Sequence, residues 1–250
     1  MDRSTAVQTL IAEVESASGF PVALLQDPSI ASKATIRRAS GSVTAHLLRY
    51  QRENALTDYF IAFQCGLLLR GLAEDPEPPL QLAGKRDRRE RVISQVEKLN
   101  RHLSSAQARQ AGGQLYDSLM VQLRSVAPGL LVDRELHRRW PSLHPAQAEA
   151  MEQEIASTLP ALAPDFGQGI PAELITASKA MSSAYAFTAA DLLAAPDLAV
   201  PYQAVGLEAV GRRLIALAEA AEQSHQRDHQ LIDAWAEEIG LRGWYRWQQA

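Results

Sequence analysis

The chain is 250 residues long, 46% hydrophobic and 22% charged, enough apolar material for one large domain or two small ones with a sizeable core. A formal net charge of −4 and a pI near 5.9 provide no global basic field, which disfavours nucleic acid as a partner. The single cysteine, Cys65, excludes an intramolecular disulfide and fits a reducing, cytoplasmic setting.

The polar start Met-Asp-Arg-Ser-Thr leads into an amphipathic stretch, so no signal peptide is expected. No window approaches the ~18 continuous apolar residues of a membrane-spanning helix, so no membrane association is expected. Ala6, Leu10, Ile11, Val14 and Ala17 recur at helical spacing behind Ser4 and Thr5, and Gly19 ends that helix. Three strands are predicted next: Phe20 to Gln26, closed by Asp27-Pro28; Ala34 to Ala39; and Ser42 to Tyr50, the last two as a hairpin through Ser40-Gly41. Leu56 to Leu72 is a strongly apolar helix, and Glu74-Asp-Pro-Glu-Pro-Pro stops it because successive prolines cannot continue a helix.

Beyond this point the pattern is helical. Lys85 to His102 carries a thin apolar stripe of Val92, Ile93, Val96 and Leu99, and its basic run reads as a solvated helix face. Further helices are predicted near 105–126, 132–139, 145–158, 172–183, 189–194, 203–223 and 227–239, with prolines as punctuation. The Ala/Pro-rich stretch 156–171 is the best internal linker. The organisation expected is an α+β unit over 1–82 and a helical portion over 83–250, whether as two domains or one continuous domain.

The stretch Asp58-Tyr59-Phe60-Ile61-Ala62-Phe63-Gln64-Cys65-Gly66-Leu67-Leu68-Leu69-Arg70 lies on the apolar helix. Together with the order helix, strand, hairpin, helix over residues 4–72, it resembles the zincin metallopeptidase superfamily. Small bacterial zincin-like domains have a motif similar to Asp-Tyr-x-x-Ala-His-Glu-x-Gly-His-x-x-Arg. In such a motif, histidines at i and i+4 bind one Zn²⁺ and the Glu between acts as general base on its water. Here Phe63 and Leu67 occupy the ligand positions and cannot donate to a metal; Gln64 replaces the Glu and cannot take a proton near neutral pH. The resemblance therefore implies a degenerate, non-metal-binding HExxH helix. Gly66, costly inside a helix by about 1 kcal/mol, is expected to serve close packing against the neighbouring strand. The resemblance also implies that strand 42–50 lines the former cleft, where an open edge could recruit a peptide by strand addition. With both histidines absent, no third ligand is carried over to Glu74, Glu77 or a later carboxylate.

Other chemistry is sparse. His225 and His229, with Asp233 one turn on, could hold Zn²⁺ but also read as the polar face of a C-terminal helix. Gly112-Gly113 and the Gly240/Gly243 pair lack the spacing of a phosphate loop, and Cys65 and Ser182-Ser183 have no accompanying base pattern. Trp244 and Trp247 at the C-terminus read as an apolar lid, or as the anchor of a homodimer.

The fold expected is α+β, mainly α, a small sheet and an active-site-like helix wrapped by a larger helical portion. The function expected is a non-catalytic peptidase-like protein that binds a protein or peptide partner in a regulatory or assembly role, with no cofactor. Its binding residues would be Tyr59, Phe63, Gln64, Leu67, Arg70 and His46. The alternative is a metal-independent enzyme using the remodelled cleft around Gln64 on a small molecule or peptide.

Overall fold

The computed structural model describes residues 3–73, 80–224 and 227–249. In chain order these form α1 (Thr5–Ser18), β1 (Val22–Gln26), β2 (Ala34–Arg37), β3 (His46–Tyr50), α2 (Thr57–Ala73), β4 (Leu80–Gly84), α3 (Arg86–Leu99) and α4 (Ser105–Arg139). There follow α5 (His144–Thr158), α6 (Ala172–Leu192), α7 (Val200–Ala204), α8 (Glu208–Gln223), α9 (Asp228–Glu238) and β5 (Tyr245–Gln249), with short 3₁₀ turns between some of them. The fold is α+β and mainly helical, as the sequence pattern predicts. No helix among the described residues is long and apolar enough to cross a membrane.

The chain divides into two compact units, Met1–Pro76 with Leu131–Gln153, and Glu77–Leu130 with Glu154–Ala250. The boundary thus differs from the expected 82/83 division. Its cause is α4, a single 35-residue helix that runs from the second unit into the first. Two helices over 105–126 and 132–139 were the expectation because Pro128 intervenes. Proline inside a helix costs about 3 kcal/mol, but Leu123, Ala127, Leu130, Leu131 and Val132 on either side are all buried and offset it. Likewise 172–183 and 189–194 are one helix, α6, since nothing between Ser183 and Ala189 is a breaker. The 203–223 prediction instead splits, at Gly206 in the left-handed region (φ 76°).

In the first unit, α1 buries Ala6, Val7, Leu10 and Val14, one face of a 3.6-residue period, and ends at Gly19 with φ 73°. The three strands lie in the order β1-β3-β2, with β1 parallel to β3 (Val22↔His46) and β2 antiparallel to it (Ala34↔Tyr50). The expected hairpin is therefore β2–β3. The core joins Leu48 of β3, the α1 face, Tyr59, Ile61, Ala62, Cys65 and Leu68 of α2, and Val132 and Leu136 from the end of α4.

The second unit centres on α6, which buries Ala177, Ala180, Met181, Ala184 and Phe187 and packs on α8. The C-terminal tail, expected as an apolar lid or the anchor of a homodimer, forms strand β5, antiparallel to β4 with Leu80↔Gln249 and Gly84↔Tyr245 in register.

Candidate functional site

Helix α2 carries the residues that the sequence singles out, and its frame positions Asp58, Tyr59, Ala62 and Gly66 each have a packing or hydrogen-bonding partner in the first unit. Asp58 accepts from the Ser4 backbone N–H at 2.8 Å and from Arg3 at 3.2 Å, anchoring the start of α1, whose own Ser4 side chain caps nothing. Partial burial, the largest single influence, raises the Asp58 carboxyl, but the hydrogen bonds from Ser4 and Arg3 and the Arg3 charge together outweigh it and hold the group below its ordinary range. Gly66 does not face a strand, as the sequence reading expected, but Val132 of α4: a Cβ added there would lie 2.6 Å from Val132 Cγ1. Phe63 and Leu67, at the two ligand positions of the resembled motif, are partly buried against the core, with the Phe63 ring 6.1 Å from that of Tyr59. Gln64 is half-buried beside them, and Arg70 lies in the last turn of the helix. Cys65 is fully buried, and desolvation pushes its thiol up to about 12, which removes it as a nucleophile.

The most distinctive polar feature is one that the sequence reading missed. The Tyr59 hydroxyl donates to Asp133 Oδ1 at 2.7 Å. Gln147 Nε2 donates to the Asp133 carbonyl at 2.9 Å and to Oδ1 at 3.3 Å, while Gln147 Oε1 stands 3.0 Å from His137 Nδ1. The His137 ring stacks on His144 at 4.0 Å, and His144 Nε2 reaches the His137 carbonyl at 2.7 Å. Asp133 is 0% exposed and its Oδ2 makes no hydrogen bond with the protein. Burial drives its carboxyl up to about 6, against the opposing pull of Tyr59 and Gln147. Sealed in this way, the Tyr59–Asp133 pair braces α2 against α4 and has no path to a substrate. A carboxylate following Leu130-Leu131-Val132 was the one available signal; nothing in the sequence marks Gln147.

His46, a candidate binding residue, is likewise interior. Its Nδ1 accepts from the Ala39 N–H at 3.0 Å, which leaves the ring proton on Nε2 to bond the Ser18 hydroxyl at 2.9 Å. Burial, and then the Arg38 charge, lower its pKa, so it is a neutral tie between β3, the 38–40 segment and the end of α1.

Strand addition at 42–50 is corrected by the sheet. β3 is the central strand, hydrogen-bonded on both sides, so it has no edge to offer. The outer strand β1 does have one: among the described residues no strand pairs with its far side. The bonds from the His46 N–H to the Pro21 carbonyl and from the Asp27 N–H to the Tyr50 carbonyl point the odd-numbered residues of β1 at β3. Alternation then turns the main-chain groups of Val22, Leu24 and Gln26 outward. The Val22 N–H is taken by Glu15 Oε1 at 2.8 Å, and Leu25 is 48% exposed.

Trp244 and Trp247, expected as a lid or as the anchor of a homodimer, are both engaged within their own unit. Trp244 is buried within its own unit, stacked 6.0 Å from Tyr116, whose hydroxyl donates to the Trp244 carbonyl at 2.5 Å. The Trp247 indole N–H donates to Asp233 Oδ1 at 3.0 Å. Of the His225, His229 and Asp233 trio, His225 lies outside the described residues. Asp233 accepts from Tyr245 at 2.6 Å and from Trp247, and pairs with Arg242 at 2.8 Å, while the His229 ring meets Trp247 edge-on. These bonds already satisfy the Asp233 carboxylate. In the basic run, Arg89 pairs with Asp117 and Arg91 with Glu173, each at 3.0 Å, as a solvated, ion-paired face would.

No protein-family model matches the chain, and neither a curated protein nor a solved structure matches it. The fold and site describe a mainly helical α+β protein whose helix α2 is braced from within.

Proposed function

We propose that this chain is a non-catalytic, peptidase-like protein that acts by binding a protein or peptide partner, with α2 a degenerate counterpart of a zincin active-site helix. The carrying observation is the contact of Gly66 with Val132, because it places α4 against α2 beside the position of the second metal ligand. Phe63 and Leu67 add to the core what histidines would give to a metal. The frame residues Asp58, Tyr59 and Gly66 each serve the packing of the first unit, so their retention needs no catalytic reason. An enzyme working through Gln64 would need a polar cleft there, and the packing of Val132, Phe63 and Leu67 counts against it.

The partner's place is the outer edge of β1. An extended peptide would bond to the outward groups of Leu24 and Gln26, with exposed Leu25 and Phe20 offering apolar contacts. The test is panning of a displayed library of short peptides against wild type and Gln26→Pro, which removes one outward N–H without touching the β1–β3 bonds. Enrichment by wild type that falls at least about tenfold in the variant, the worth of one or two edge hydrogen bonds, supports the reading. Equal enrichment by both would remove the edge from it.

A further inference from the structure

In the second unit a cavity of about 60 Å³ opens between the end of α5, the loop after it and one stripe of α6. Its apolar wall is Ala161, Leu162, Phe166 and Ile175; its polar wall is Thr158, Ser178, Lys179 and Ser182. Ile175, Ser178, Lys179 and Ser182 follow the i, i+3, i+4, i+7 spacing of a single helix face, so α6 presents an ammonium and two hydroxyls side by side. Thr158 is fixed opposite them by a 2.5 Å hydrogen bond with the Tyr202 hydroxyl, and Gln122 Nε2 reaches the Ser182 hydroxyl at 3.4 Å. Lys179 is half-buried, yet among the described residues it has no carboxylate partner, unlike Arg91, which pairs with Glu173 at the start of the same helix.

From the Lys179 ammonium, without a carboxylate partner among the described residues, the hydroxyls that line the cavity with it and the apolar wall, we infer that this cavity binds a small carboxylate with a short aliphatic body. A cation at the wall of a cavity, without a carboxylate beside it, leaves a place that an anionic ligand can fill. The apolar half of the lining gives a hydrocarbon body contacts that an inorganic anion would waste. The size limits the choice: nucleotides and large cofactors need several hundred Å³, whereas a carboxylate of three to five carbons is of the right order. This site is independent of α2 and of β1.

Butyrate, butyramide and inorganic phosphate are the probes, each titrated against the full chain and followed by saturation-transfer NMR. Butyrate is expected to bind saturably with a dissociation constant of about 1 mM, consistent with the affinity available to six non-hydrogen atoms. Butyramide and phosphate should bind at least about tenfold more weakly. Lys179→Met should weaken butyrate by the same factor. Ala161→Leu, which keeps the cation and fills the apolar wall, should do so too, so that the inference does not rest on one variant's folding. Butyramide or phosphate binding as well as butyrate, no saturable butyrate binding to wild type, or unchanged affinity in both folded variants would each overturn it.

Discussion

The hydroxyl of Tyr59 donates to Oδ1 of Asp133 at 2.7 Å, joining α2 to α4 through a carboxyl group with no exposed surface. The pair explains why a tyrosine lies in the first turn of a largely apolar helix, and why one carboxylate is tolerated in the buried face of another. Oδ2 makes no hydrogen bond with the protein, so the charge is poorly compensated and the neutral acid is favoured.

A pH dependence follows. The carboxyl of Asp133 titrates at about 6 in the folded chain against an ordinary 3.8, so the folded state binds this proton more tightly than the unfolded state does. The stability it contributes is complete below pH ~4 and is lost as pH rises through about 6, by at most about 3 kcal/mol. His46 acts in the opposite direction: its pKa is lowered by folding, so its contribution is present above its unfolded pKa and falls as pH falls. A difference between variants separates the two. Urea unfolding of wild type and Asp133→Asn from pH 4 to 8 should show the variant gaining relative stability with rising pH up to about 6, then a plateau. A difference curve without slope over that range would contradict the assignment.

Removing the donor should have a complementary effect. Tyr59→Phe leaves Asp133 Oδ1 with only the longer Gln147 bond. A loss of about 1–3 kcal/mol is expected at pH 7.5, where the carboxylate is charged, and a smaller loss at pH 4.5. Equal losses at both pH values would mean that the hydroxyl's contribution does not depend on the charge of Asp133.

The interior position of α2 also governs its thiol. Cys65 is fully buried and its pKa is raised to about 12, so a dithiobis-nitrobenzoate probe should not react with native protein at pH 8. One equivalent should react in denaturant. Rapid reaction without denaturant would indicate that α2 is accessible.

In the second unit, Trp244→Ala should cost about 3 kcal/mol, the usual loss for a buried indole, because it removes the stack on Tyr116 and loosens the β5 pairing with β4. Sedimentation should give the same molecular mass for variant and wild type. A mass that halves on substitution would restore the tail as a dimer anchor.

Much of this architecture was legible in local pattern. The helix periods of α1, α2 and α3, the three strands and the β2–β3 hairpin follow from apolar spacing and Gly/Pro punctuation, which act over a few residues. What escaped was decided at long range. Pro128 signals a stop in the local sequence, because the burial that carries α4 past it is invisible locally. β5 exists through pairing with a segment more than 150 residues earlier; its Tyr-Arg-Trp-Gln-Gln sequence alternates aromatic and polar residues over only four positions, too short a pattern to announce a strand by itself. That β3 is central, and so unable to take a peptide, depends on its parallel pairing with β1, which a hairpin signal cannot predict. At the candidate site, Gly66 was correctly singled out as needing a close neighbour, but the neighbour came from Val132, 66 residues away in sequence.

That contact provides the most direct test of the closed-helix reading, through the sign of one substitution. Glycine to alanine in an open, solvent-facing helix stabilises by about 1 kcal/mol. At Gly66 the new methyl would instead lie 2.6 Å from Val132 Cγ1, on a β-branched side chain with little freedom to turn away. Gly66→Ala should therefore destabilise by about 1–3 kcal/mol, and Val132→Ala in the same chain should recover most of that loss in a double-mutant cycle. A Gly66→Ala protein more stable than wild type, with no coupling to position 132, would mean that α2 faces an open cleft.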